Sequence, residues 1–156
     1  MLANTQEDSL VLHTDLYEIN MMYTYFKKGI QDKKAVFEMY FRDIPFANGF
    51  AVFAGLKHAI EYLENLRFSE SDIAYLREVE GYDEDFLTYL RDLRFTCTVR
   101  AAKEGELVYN NEPILQVEGP LAQCQLVETT LLNIINFQTL IATKAARIRS
   151  AVGDDS

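Results

Sequence analysis

Cysteine is scarce in these 156 residues: only two occur, Cys97 and Cys124, too few and too far apart along the chain for a disulfide framework or a zinc site. Both are expected to be free buried thiols, which suits a reduced, cytoplasmic compartment. Positive charge is also in short supply. Lys and Arg total 15 against 24 Asp and Glu, a formal charge of -9, and that balance excludes a broad electrostatic footprint for nucleic acid. Any anionic ligand must be held by a few local donors. The sequence has no glycine-rich phosphate loop, no HExxH, no paired-cysteine metal motif and no internal repeat. Met1 to Asp8 carries acids and no apolar segment, so it reads as neither a secretory signal nor a basic transit peptide.

Charge is missing altogether from Thr129 through Thr143. Leu121 to Val152 reads as one long helix with almost no face for water, whereas an ordinary surface helix shows a polar side at every turn. Asn133, Asn136, Gln138 and Thr139 interrupt the run, which is too short and too polar to cross a bilayer. Something is therefore expected to cover it: the preceding residues, a second copy of the chain, or a following domain, with the last two favoured together. Expressed alone, such a chain is expected to self-associate.

What is present, with 49% hydrophobic residues, suffices for one real core. Thr14 or Asp15 can cap a first helix, with Asp15 and Glu18 as a variant capping box. Leu16, Ile19, Tyr23 and Phe26 form its expected core stripe, and Gly29 its left-handed end. Tyr17 falls outside that stripe, on the side of Met21, Thr24 and Lys28. Ala35 to Arg42 alternates as a strand, with Phe37, Met39 and Phe41 on one face and Glu38, Tyr40 and Arg42 on the other. Pro45 to Gly49 supplies turn chemistry. Leu56, Ala59, Ile60 and Leu63 define the next helix. Ser69 caps another with Ile73, Leu76 and Val79, and Asp83 opens a third with Phe86, Leu87, Leu90 and Leu93. Phe95 to Ala101 alternates again, Gly105 to Tyr109 is its expected hairpin partner, and a further strand ends at Glu118 before Gly119-Pro120 turns into the long helix. The sum is an α+β domain of three or four strands with helices on a face, residues 1–120, followed by a helix over 121–156 that leads elsewhere.

Three features could carry chemistry. Asp15 and Tyr17 stand at a helix amino terminus, where free N–H groups favour anions and a ring can stack on a planar ligand; the alternative is a capped helix with a packed tyrosine. Arg42 ends a strand, where its fork can clamp a phosphate or pair with Glu38. Lys144, Arg147 and Arg149 complement the dipole of the long helix and are given no role. His13 and His58 lack a nucleophile beside them.

Several blocks in fixed order carry more. Thr14-Asp15-Leu16-Tyr17, Phe37-Glu38-Met39-Tyr40-Phe41-Arg42, Ala51-Val52-Phe53-Ala54-Gly55-Leu56, Asn111-Glu112-Pro113-Ile114, Glu128-Thr129-Thr130-Leu131-Leu132-Asn133 and Ala142-Thr143-Lys144-Ala145-Ala146-Arg147 resemble the amino-terminal part of the nicotinate phosphoribosyltransferases. The resemblance covers nearly the whole chain from Leu10. It implies the α/β sandwich domain of a type II phosphoribosyltransferase, with the last helix leading to an α/β barrel that is absent here, and a homodimer with sites at the subunit boundary. The implied reaction joins nicotinate to phosphoribosyl pyrophosphate, with Mg2+ on the diphosphate and ATP hydrolysis coupled through a phosphorylated histidine. No motif of this chain binds the Mg2+ or ATP, and neither His13 nor His58 matches that histidine. By the same resemblance Tyr17 stacks on the pyridine ring with Asp15 beside it, and Arg42 meets the sugar phosphate across the dimer. A nicotinamide or quinolinate enzyme and a non-catalytic oligomerising domain are the competing readings.

Overall fold

The computed structural model describes residues 10–44 and 49–152. The amino-terminal segment Met1 to Asp8 and most of the Pro45 to Gly49 turn lie outside them. A 3-10 turn, Leu10–Leu12, leads into α1 (Leu16–Lys27). Its end is local chemistry: Gly29 takes φ 65°, its N–H bonds the Phe26 carbonyl at 3.0 Å, and the Ile30 N–H reaches Tyr25 at 3.0 Å. That pair of bonds is the Schellman ending that glycine permits.

After α1 the chain forms β1 (Lys34–Met39), β2 (Ala51–Val52), α2 (Leu56–Glu64), α3 (Glu70–Glu78), α4 (Glu84–Asp92), β3 (Thr98–Ala101), β4 (Leu107–Val108), β5 (Leu115–Pro120), α5 (Leu121–Leu126) and α6 (Glu128–Val152). The Ser69 capping box forms with Asp72, and Asp83 caps α4 through the Phe86 N–H. Between α1 and α4 an aromatic cluster of Tyr23, Phe26, Tyr82, Phe86 and Tyr89 packs with centroids 5.1 to 6.1 Å apart. Burying a ring such as that of Phe86 contributes about 1.5–3 kcal/mol.

The five strands, where three or four are expected, form two sheets. β1, β5 and β3 make an antiparallel sheet with β5 central, and β2 pairs with β4. Gly105 to Tyr109 is thus not a hairpin partner of the preceding strand. The Ala102 N–H continues the β3–β5 ladder to Ile114, while the Gly105 N–H bonds Phe53 and sends the chain to the other sheet. Gly119 lets β3 and β5 close: a Cβ there would lie 2.5 Å from the Cys97 sulfur. The two cysteines, distant in sequence, stand with their sulfurs 4.0 Å apart, and both are free.

The expected single helix is two. α5 lies against α1, β1 and β5, and α6 runs along α2 and β2. Val127 is the break, at φ -87° and ψ -6°. The stripe of α1 is also rotated from its expected place. Glu18, Ile19 and Met22 are the buried residues and Leu16 is exposed, because the start of α6 covers the side that Glu18 occupies. Ile60 and Val79, expected inside, are exposed as well. No helix among the described residues is long and apolar enough to cross a membrane.

Candidate functional site

Asp15 and Tyr17 meet the start of α6. The capping box within α1 does not form: Asp15 has extended backbone, φ -75° and ψ 140°, and its side chain caps nothing in its own helix. Its Oδ2 instead accepts the Thr129 hydroxyl at 2.8 Å. Thr129 is the second residue of α6, so its N–H is one of the donors a helix cannot satisfy internally. Glu18 supplies the acceptor. Its Oε1 takes the Thr129 N–H at 3.2 Å and lies 2.9 Å from the Thr129 hydroxyl, while Oε2 takes the Thr14 hydroxyl. A residue expected to close a box in α1 therefore caps α6, where the dipole's positive end favours a carboxylate.

Two further bonds tighten this junction. The Thr14 hydroxyl lies 3.1 Å from the Leu126 carbonyl, and the Thr130 hydroxyl donates to the His13 carbonyl at 2.9 Å. Glu18 is fully buried. Burial pushes its carboxyl above the usual range, opposed by the bonds from Thr14 and Thr129 and assisted by nearby Glu128.

Tyr17 remains 49% exposed, on a face shared with exposed Met21, Thr24 and Lys28. Its hydroxyl stands 3.4 Å from Glu18 Oε1. Partial burial, then the charges of Glu128 and Glu18, raise the phenol, so the ring is neutral at physiological pH. The surroundings of the ring are acidic, although a helix amino terminus alone favours an anion. A planar ligand that acquires positive charge suits this place better than a second anion.

Arg42 is exposed just past β1, where the Asn111 N–H bonds the Phe41 carbonyl at 2.8 Å. Its expected surface partner is engaged elsewhere: Glu38 accepts Gln116 Nε2 at 2.8 Å. Among the described residues no bond joins Arg42 to Asp15 or Tyr17, so the structure groups two of the three candidates and leaves the third apart. His58 Nδ1 meets Gln138 at 3.0 Å, and the Arg147 guanidinium lies over the Phe50 ring at 5.3 Å.

Sequence reasoning gave Glu18 to the wrong helix and missed the parts played by Thr129 and Glu104. The last accepts the Gly55 and Leu56 N–H groups at 2.8 and 2.9 Å, capping α2 from a distant loop. A cap supplied across the fold leaves no local spacing to read. Among the described residues no group of three or more His, Cys, Asp or Glu is placed to hold a metal ion.

Comparison with known proteins adds to this geometry. The family model described as the nicotinate phosphoribosyltransferase (NAPRTase) N-terminal domain matches residues 12–136. A Bacillus subtilis protein named nicotinate phosphoribosyltransferase is 62% identical over 150 residues, 96% of this chain but 31% of that protein. One of the same name from Caenorhabditis elegans is 45% identical, over 94% of this chain and 27% of that protein. The crystal structure of human nicotinic acid phosphoribosyltransferase superimposes with a TM-score of 0.85 at 39% identity, covering 92% of this chain and 29% of that one. The chain thus spans less than a third of each of these relatives.

Proposed function

Because this chain belongs to the nicotinate phosphoribosyltransferase family, we propose that it is the amino-terminal domain of an enzyme that joins nicotinate to phosphoribosyl pyrophosphate. The products are nicotinate mononucleotide and pyrophosphate, formed with ATP hydrolysis as a step of NAD biosynthesis. Residues 1–120 are the sandwich, and 121–156 lead into a barrel that holds the phosphate-binding and base-reading groups. The working form is a homodimer, and the domain contributes one wall of a shared site.

The observation that carries this reading is Tyr17: a neutral, half-exposed ring held at a helix junction and not used by the core. It stacks on the pyridine ring. Asp15 stands beside it, and Arg42 reaches the sugar phosphate from the partner's side. Carbon–nitrogen bond formation places positive charge on the pyridine and on the sugar as pyrophosphate leaves, and the acidic surroundings of Tyr17 suit that charge. Placement, not a nucleophile, is this domain's share of the chemistry. Mg2+ on the diphosphate belongs to the same proposal.

The test is turnover by the full-length protein, in which this chain is continued to the length of its relatives. Nicotinate mononucleotide should form from nicotinate and phosphoribosyl pyrophosphate, with nicotinamide and quinolinate as poor competing bases. No product from nicotinate, or a preference for either other base, overturns the proposal.

A further inference from the structure

The junction between α1 and α6 clamps the chain on both sides of Tyr17. Asp15 and Glu18 bracket the ring in sequence, and both bond the same residue, Thr129, at 2.8 and 2.9 Å through its hydroxyl and at 3.2 Å through its N–H. The hydroxyl has one hydrogen and serves either carboxylate, while the N–H belongs to Glu18 alone. Thr14 and His13 extend the clamp to Leu126 and Thr130. Tyr17 itself is half exposed, and its hydroxyl lies 3.4 Å from Glu18 Oε1, so its ring stands where its backbone and Glu18 put it. The side chain that fixes that backbone most deeply is Glu18, fully buried and bonded to α6.

We propose that Glu18 is a positioning residue for the pyridine substrate, acting through Tyr17: by capping α6 it locks the first turn of α1 and sets where the neighbouring ring meets the ligand. This rests on the stacking role given to Tyr17 above. Nothing about core packing calls for a carboxylate here. An apolar side chain of the same length would fill the space, but it would leave the Thr129 N–H without an acceptor and the turn free to shift.

The experiment is steady-state kinetics on the full-length protein. Glu18→Met removes both acceptors and should raise the KM for nicotinate about tenfold, with kcat and the KM for phosphoribosyl pyrophosphate nearly unchanged. Glu18→Gln should restore the nicotinate KM to within about twofold, since its amide oxygen can take the Thr129 N–H and its NH2 can face the Thr14 oxygen. Thr129→Val keeps the N–H but loses the hydroxyl bonds, and should give a smaller rise of the same kind. In a Tyr17→Ala background, neither Glu18→Met nor Thr129→Val should raise the nicotinate KM further.

A purely structural Glu18 would lower thermal stability and active fraction with the nicotinate KM unmoved, and that result overturns the inference. So does an effect that adds in full to that of Tyr17→Ala. Should Glu18→Met fail to fold, Thr129→Val and its double variant decide the matter. If Tyr17→Ala alone leaves the nicotinate KM unchanged, the stacking role fails and this inference falls with it. If Tyr17→Ala raises it and the other two variants do not, only the inference fails.

Discussion

The two halves of α6 obey opposite rules. From Glu128 to Ile135 the buried side is mainly apolar, with Leu131 and Ile135 against the domain, Thr130 buried on the His13 carbonyl and Asn133 outside. Beyond Ile135 the order inverts: Thr139 and Thr143 are buried, while Phe137 is 66% exposed and Ile141, Ile148 and Val152 are each at least half exposed. The inversion has a local cause. The strand segment around β2 pairs with β4 on one side, and its other backbone edge needs partners. Thr143 accepts the Val52 N–H at 2.9 Å, Thr139 bonds both the N–H and the carbonyl of Ala54, and Arg147 reaches the Phe50 carbonyl at 3.1 Å. Residues spaced by four on one helix face thus serve a sheet edge. The apolar residues that such a helix also carries are left pointing outward, which is how one element can finish its own domain and face another.

The largest effect should separate the halves most sharply. Ile135→Ala, at a fully buried site, should cost about 2–5 kcal/mol in urea unfolding of the isolated chain at concentrations where it is monomeric, whereas Ile141→Ala should stay within about 0.5 kcal/mol. Equal losses would break the comparison. Thr143→Val tests the polar half, since it orphans the Val52 N–H while keeping the side-chain shape; a loss of about 1–3 kcal/mol is expected by the same method. The outward face is tested by sedimentation: the isolated chain should self-associate, and Phe137→Lys with Ile141→Lys should shift it toward monomer.

Acid should make the smallest distinction, because the ion pairs with the clearest shifts do not touch α6. Asp83 is held down to about 2 from 3.8 by Lys27 and then Tyr23, and Glu118 to about 2 from 4.5 by Lys34 and Arg100. Both contribute fully above the ordinary carboxylate values and lose that contribution as pH falls through the depressed ones. Glu18 has the opposite sign. Its raised carboxyl favours folding most at low pH, and that share is lost as pH rises through the raised value. Melting temperature should therefore fall between roughly pH 5 and pH 2. Lys27→Met should flatten that fall, with both halves of α6 affected alike.

Features set by neighbours in sequence could be read without coordinates. The Ser69 cap, the Asp83 cap and the Gly29 ending each depend on a few consecutive residues. The alternation of β1 likewise survives folding, and Tyr17 is exposed as expected although the stripe it was set against is rotated. What escaped depends on partners far along the chain. Nothing near Glu18 announces that Thr129 will stand opposite it, and a glutamate beside an apolar stripe is ordinarily solvated. The pairing of β4 with β2 was hidden for a similar reason, since two-residue strands carry almost no periodic signal. The resemblance singles out Asp15 and Tyr17, while the bonds that hold them to Thr129 exist only in the folded chain.

If the Tyr17 ring holds the pyridine substrate as proposed, it does so through its face and not its hydroxyl. Steady-state kinetics with nicotinate on full-length Tyr17→Phe and Tyr17→Ala tests this most directly. Phenylalanine keeps the face, and its KM should match the parent within about twofold; alanine removes it, and its KM should rise about tenfold or more. A parent-like KM for alanine, or equal losses for both variants, would contradict the account.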